Sequence, residues 1–183
     1  MSQFKILVVV GSLRKESFNR KLAKGIEKLA PDNLSFAHAK IDDLPLYDQD
    51  DDDNPADSVK RLKQAIRDSD GVMFVTPEYN RSVPGVLKNA IDHASRPYGQ
   101  SAWAGKPAGI IGASIGSIGT AIAQQHLRNS LAYLDMPTLG QPEAFIHVTD
   151  GLFEKDGSIG PASRDFLQDW INRFAEWVKR HNA

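Results

Sequence analysis

An apolar run rich in β-branched residues, Phe4 to Val10 (FKILVVV), gives way at Gly11-Ser12 to a segment with helical spacing, and that order recurs along the chain. A strand covered on both faces reads as such a run rather than as alternation. Ser17 caps a predicted helix over Phe18 to Ala30, which Pro31-Asp32-Asn33 ends. Leu34 to Ala39 follows as a weaker second strand, and Pro55 to Asp68 as a helix with Val59, Leu62 and Ile66 on one face. Gly71 to Thr76 (GVMFVT) is the third strand, with a helix over Val83 to Ala94. Ala108 to Ala113 is the fourth, with a helix over Ile118 to Leu134. Phe145 to Val148 is the heart of a fifth strand. Pro161 opens a last helix whose Phe166, Leu167, Trp170, Ile171, Phe174 and Trp177 form one wide apolar face. Between Ile41 and Pro55 lies a long loop whose acidic tract, Asp50 to Asp53, reads as solvated.

Five β-then-α units in series predict an α/β fold, a doubly wound parallel sheet with helices on both faces and right-handed crossovers. The expected strand order is 2-1-3-4-5, within a single domain spanning residues 1–183. No internal repeat, linker or second domain interrupts the pattern. In such a sheet ligands gather at the carboxyl ends of strands 1, 3 and 4, around the switch point.

The segments at those three ends carry chemistry. After strand 1 come Gly11, Ser12, Leu13, Arg14, Lys15, Glu16, Ser17, Phe18 and Asn19. Gly11 and Ser12 allow a tight turn, Ser12 and Ser17 offer hydroxyls, Asn19 an amide, and Arg14 a fork suited to phosphate oxygens. The helix start adds unpaired N–H groups. This is neither a Walker loop nor GxGxxG, so a triphosphate or dinucleotide is not implied. After strand 3, Thr76 to Gly85 (TPEYNRSVPG) is stiffened by Pro77 and Pro84; its amides suit the edge of a planar heterocycle and Tyr79 offers a ring. After strand 4, Gly112 to Gly119 (GASIGSIG) is a small-residue loop through which a ligand reaches the backbone.

Composition narrows the classes further. With 183 residues the chain can bury a sizeable core, and its formal charge of −1 gives no field for nucleic acid or an anionic membrane. It has no cysteine, which excludes disulfides, thiolate nucleophiles and Cys-based metal sites. The start of the chain lacks a signal-peptide pattern, so the cytoplasm is the expected location. Pro107 to Leu127 is free of charge and long enough to span a bilayer, but its Gly, Ser, Thr and Gln-Gln-His content reads as strand, loop and helix. His38, His93, His126, His147 and His181 are scattered. Only His126 lies near a motif, where it reads as helix surface or subunit contact.

GSLRKESFNRKLA, LPLYDQD (Leu44 to Asp50), TPEYNRSVPGVLKNAIDHASRP (Thr76 to Pro97) and GKPAGIIGASIGSIGTAIAQQHLR (Gly105 to Arg128) resemble the NAD(P)H-dependent FMN reductase family, in its quinone and chromate reductase branch. The resemblance runs over almost the whole chain in order, and PEYN followed by PGxLKNAID is its most specific part. It implies a flavodoxin-like fold, tight non-covalent FMN, NADPH or NADH as donor, and a homodimer or homotetramer. Carried over by position, Gly11, Ser12, Arg14, Ser17, Phe18 and Asn19 would bind the FMN phosphate. Pro77, Glu78, Tyr79 and Asn80 would meet the ring and ribityl, and Ser114, Gly116 and Ser117 would close the far side. Lys15, Arg81 and Ser82 would be substrate contacts, with Arg14 and Lys15 favouring the extra phosphate of NADPH. The resemblance implies hydride transfer at flavin N5 in a ping-pong cycle, with no metal and no catalytic side chain. Glu78 acts through its backbone in that scheme. Acceptors would be quinones, with chromate, other metal oxyanions, azo dyes or free flavin beside them. A flavodoxin-type one-electron carrier and a non-catalytic flavin-binding regulatory protein share the fold; Arg14 in the phosphate loop argues against the carrier.

Overall fold

In the computed structural model, which describes residues 3–183, the opening apolar run is β1 (Phe4–Val10). Alternate residues explain why it is apolar throughout. Ile6, Val8 and Val10 enter one core layer and Leu7 and Val9 the other, so neither face meets water. The remaining elements are α1 (Phe18–Leu29), β2 (Leu34–His38), α2 (Asp57–Arg67), β3 (Gly71–Val75), α3 (Gly85–Ala94), β4 (Ala108–Ser114), α4 (Ala121–Tyr133), β5 (Ala144–His147) and α5 (Pro161–His181). One sheet holds all the strands in parallel, in the order β2-β1-β3-β4-β5 expected from the sequence.

Helices α1 and α5 cover one face, where Leu22, Ile26, Trp170 and Phe174 pack on Ile6, Val8, Met73 and Val75. The stacked Trp170 and Phe174 rings, centroids 5.6 Å apart, are both fully buried. Helices α2, α3 and α4 cover the other face through Leu62, Ile66, Leu87, Ile91, Leu127 and Leu131, against Leu7, Val9, Phe74 and Ile110. Pro107 to Leu127 divides into β4, a loop and the first turns of α4, and among the described residues no helix is long and apolar enough to cross a membrane.

Several boundaries differ from the sequence reading, for local reasons. Helix α3 begins at Gly85, not Val83, because Pro84 holds an extended conformation (φ −58°, ψ 141°) and disfavours a helical residue before it. Helix α4 begins at Ala121 rather than Ile118, because Gly119 adopts φ +63° and breaks the helical path. Helix α2 starts at Asp57 instead of Pro55, and β5 is shifted by one residue to Ala144–His147. The acidic tract contains one 3₁₀ turn, Gln49–Asp51, capped by the Asp48 side chain; Asp50, Asp51 and Asp53 are exposed and Asp52 is half-buried. The loop before it is pinned to α3. Asn89 Nδ2 donates to Pro45 O (2.8 Å), His93 Nε2 donates to the same oxygen (2.9 Å), and Tyr47 N donates to Asn89 Oδ1 (2.8 Å).

Candidate functional site

The carboxyl ends of β1, β3 and β4 step across the sheet through the backbone. Gly11 N donates to Val75 O (2.9 Å) and Thr76 N to Ile111 O (3.0 Å), so the loops after those strands leave the sheet side by side. Close approach requires glycine at one point. A Cβ on Gly112 would lie 2.1 Å from Thr76 O and 2.4 Å from Thr120 Oγ1. The crevice therefore owes its width to a missing side chain beneath it.

The first wall is the segment from Gly11 to Asn19. Ser12 and Ser17 are buried, while Leu13, Arg14, Lys15 and Glu16 are exposed. Ser17 caps α1, its Oγ accepting from Arg20 N at 3.3 Å. The N–H groups of Phe18 and Asn19 have no partner among the described residues, as the first turn of a helix dictates, so two donors are free at the helix start. The Arg14 guanidinium lies 5.5 Å from the centre of the Phe18 ring, a cation–π contact that holds it near the same helix start. Glu16 pairs with Lys21 at 3.0 Å, and a hydrogen bond from Lys21 with its charge holds the Glu16 carboxyl below its ordinary value.

Asn19 does something other than offer its amide to a ligand. Its Nδ2 donates to Ala113 O (2.9 Å) and its Oδ1 accepts from Ala113 N (2.8 Å), all in a buried setting. This two-way bond lashes the start of α1 across β3 onto the end of β4.

The second wall is the segment after β3, where Tyr79 N donates to Ser82 O (3.1 Å) and Ser82 N to Tyr79 O (3.0 Å). Asn80 (φ 50°) and Arg81 (φ 62°) both take left-handed backbone, which makes a tight turn of the primed type. Asparagine tolerates this conformation; arginine there is strained. The Glu78 side chain holds the turn. One carboxylate oxygen accepts from Ile122 N and Ala123 N, both at 3.0 Å, and the other accepts from Arg81 Nη1 at 3.0 Å. Helix α4 has no side-chain cap of its own at Thr120, so a carboxylate from the neighbouring loop supplies it. Tyr79 is 49% exposed. The Ser82 hydroxyl and His126 Nδ1 are hydrogen-bonded at 3.1 Å, which gives His126 a contact within this wall that its place in the sequence did not reveal.

The third wall, Ser114 to Thr120, is short and open. Ser114 Oγ accepts from Gly116 N (3.1 Å), Gly119 N donates to Gly116 O (2.9 Å), and Ile115, Gly116, Ser117 and Ile118 are exposed. Sequence reasoning also passed over Thr76 and Gln124, both fully buried. Thr76 Oγ1 donates to Pro77 O at 2.8 Å, and Gln124 Nε2 donates to Thr120 Oγ1 (2.9 Å) and Ala144 O (2.8 Å). Both brace the loops from below, a tertiary role with no motif of its own. Among the described residues no three His, Cys, Asp or Glu side chains are grouped to hold a metal.

The three walls together present the start of α1 at one end and a rigid turn beside a small-residue loop at the other. Comparison with known proteins agrees in kind. Residues 4–150 match the family model described as NADPH-dependent FMN reductase. A quinone reductase of Pseudomonas putida is 52% identical, with all of both chains covered. A 2-hydroxy-1,4-benzoquinone reductase of a Burkholderia species is also 52% identical over 96% of each chain. Among solved structures, the flavoenzyme NAD(P)H:(acceptor) oxidoreductase of Paracoccus denitrificans superposes with a TM-score of 0.93 at 46% identity, covering 97% of this chain and 98% of that one.

Proposed function

Because the chain belongs to the NADPH-dependent FMN reductase family, we propose that it holds FMN along the crevice at the ends of β1, β3 and β4 and reduces quinones with electrons from NADPH or NADH. It is an oxidoreductase of flavodoxin-like fold. The observation that carries the reading is the pairing of free N–H groups at the start of α1 with the locked Tyr79–Ser82 turn after the neighbouring strand.

The residues suit FMN. Its phosphate would meet the Ser12 and Ser17 hydroxyls, the free N–H groups of Phe18 and Asn19 and the Arg14 guanidinium, beside the turn at Gly11. The backbone of Pro77, Glu78, Tyr79 and Asn80 would border one side of the ring, with Ser114, Gly116 and Ser117 on the other. FMN, when bound, supplies the chemistry of taking electrons from a nicotinamide and handing them on. The protein's own part is placement and electrostatics. Amide groups in the third wall would stabilise negative charge that develops at the ring's carbonyl edge. Glu78 is committed to α4 and Arg81, which leaves it a positioning role.

The exposed rim of Tyr79, Ile115 and Ile118 leaves room for a flat donor and a flat acceptor at one face in turn, a ping-pong order. Lys15, Arg81 and Ser82 would stand at the rim as substrate contacts. So open a mouth would also admit chromate, other oxyanions, azo dyes or free flavin. Tyr133 on α4 is 74% exposed beside Lys88 and Asp92 of α3, and a homodimer or homotetramer would use those faces.

Anaerobic mixing tests the reading. FMN-loaded protein should be bleached by NADPH or NADH and recolour on addition of benzoquinone, one quinone consumed for each nicotinamide oxidised. Protein that binds FMN but is not reduced by either nucleotide would be a carrier or a regulatory protein instead.

A further inference from the structure

A second recess lies on the other side of the first wall, and the crevice does not use it. Its volume is about 340 Å³, and it shares Ser12 with the proposed phosphate site while most of the rest of its lining lies on α1 and the segment after β2. The floor is apolar, formed by Val10, Ala39 and Ile41; the rim carries Arg20, Lys24 and Lys40, with Asp42 and His38. Ligand-binding recesses begin at about this size.

The charges of this recess are poorly accounted for by the protein alone. Arg20 and Lys24 lie one turn apart on the same side of α1, an arrangement that costs helix stability. Neither side chain has a hydrogen-bonding or ion-pair partner among the described residues. Helix α1 also has no acidic residue in its first turn, so Arg20 sits where the helix dipole disfavours a cation. The nearby carboxylates are engaged elsewhere. Glu27 holds His38 at 2.6 Å, and Asp43 holds both Lys40 (3.1 Å) and Arg61 (2.7 Å), which leaves Asp42 as the one negative group lining the recess. Two unmatched cations and a third that is shared, above an apolar floor, are complementary to a phosphate monoester carried on a flat apolar body.

We propose that this recess is a second anion site, distinct from the FMN phosphate site, and that it binds a phosphorylated adenosine through Arg20, Lys24 and Lys40. Under the reductase reading, on which the choice of source rests, the molecule that brings this chemistry is the 2′-phosphoadenosine end of NADPH. The recess then distinguishes NADPH from NADH. A free adenine nucleotide is the other source of the same chemistry.

The test uses FMN-loaded protein, so that the first phosphate site is filled, and 2′,5′-ADP as the probe in isothermal titration. Wild type should bind it, and the double variant Arg20→Glu, Lys24→Glu should bind it at least about tenfold more weakly, with its flavin spectrum retained. Competitive inhibition against NADPH, together with a rise of about tenfold or more in the variant's ratio of KM for NADPH to KM for NADH, identifies the donor as the source. Binding to the recess that does not compete with NADPH identifies a free nucleotide. Equal binding to wild type and variant, or none to wild type at millimolar probe, overturns the site. The titration requires no turnover, so it decides this proposal even if the protein fails to oxidise NADPH.

Discussion

Replacing Glu78 by alanine separates a scaffold role from a chemical one. Its carboxylate accepts two backbone N–H groups at the start of α4, each at 3.0 Å, and is 5% exposed. Loss of a cap of this kind costs about 1–2 kcal/mol, because the two donors are left to find water at a partly buried helix end. The ion pair to Arg81 adds little, since that arginine is 65% exposed, and about 0.5 kcal/mol covers it. The total is about 2 kcal/mol, which for a chain of this length corresponds to a melting temperature lower by about 4–8 °C. The turn itself should suffer as well. With the tether gone, the left-handed turn at Asn80 and Arg81 is no longer held in place, and FMN should bind about tenfold more weakly.

The Gln variant is the informative partner. Glu78→Gln keeps an oxygen for both N–H groups and loses only the charge, so about half of the stability loss is expected. A general acid replaced by glutamine would instead cut turnover by about 10²–10⁴ with stability nearly intact. Thermal melts of the apo forms, FMN titration and kcat with benzoquinone together distinguish the two. The reasoning is refuted if Glu78→Ala melts within about 1 °C of wild type, or if Glu78→Gln is as stable as wild type and catalytically dead.

Asn19→Ala leaves both polar groups of Ala113 unpaired in the core, so urea unfolding should show a loss of about 2–4 kcal/mol, with Asn19→Asp little better. Arg14→Ala would remove the proposed charge-assisted phosphate contact, and FMN binding, followed by fluorescence, should weaken about tenfold or more with little change in the apo melt. Asp43 is held below its ordinary value of 3.8, first by the hydrogen bond from Lys40 and further by the charge of Arg61. A folded value below the unfolded one gives stability that is present above the unfolded value and lost as pH falls through the folded one. Asp43→Asn should therefore lose less stability than wild type between about pH 5 and about pH 3, measured by urea unfolding at each pH.

Local chemistry made much of the fold readable. Phe4–Val10 could hardly be anything but a strand buried on two faces, and Ser17 announced α1 through a cap that needs only residues three apart. The loop positions followed from strand order alone. What stayed hidden depends on distance along the chain. Glu78 reaches α4 over 44 residues and Asn19 reaches β4 over 94, and no spacing rule records either bond. The same is true of Gly112, whose lack of a side chain is dictated by Thr76 O in another strand's loop. Errors in the helix starts share a cause too: at Pro84 and Gly119 a backbone restriction outweighed apolar periodicity that continued past it.

The motif residues then divide by where their polar atoms go. Asn19, Glu78, Ser17 and Ser114 turn their side chains onto the protein's own backbone, at Ala113, α4, Arg20 and Gly116 in turn. That leaves unpaired N–H groups at the start of α1 and a few exposed apolar side chains. Backbone donors held in place by buried side chains cannot swing to suit a particular guest, so they favour one fixed flat ligand with high precision. The rim residues Tyr79, Ile115 and Ile118 have no such bracing and make few directional demands on whatever lies against them. A site built this way should bind its cofactor selectively and its acceptors loosely. Substitutions at the rim, Tyr79→Leu for instance, should accordingly change KM values among quinones by a few-fold, while those at the braces change FMN retention.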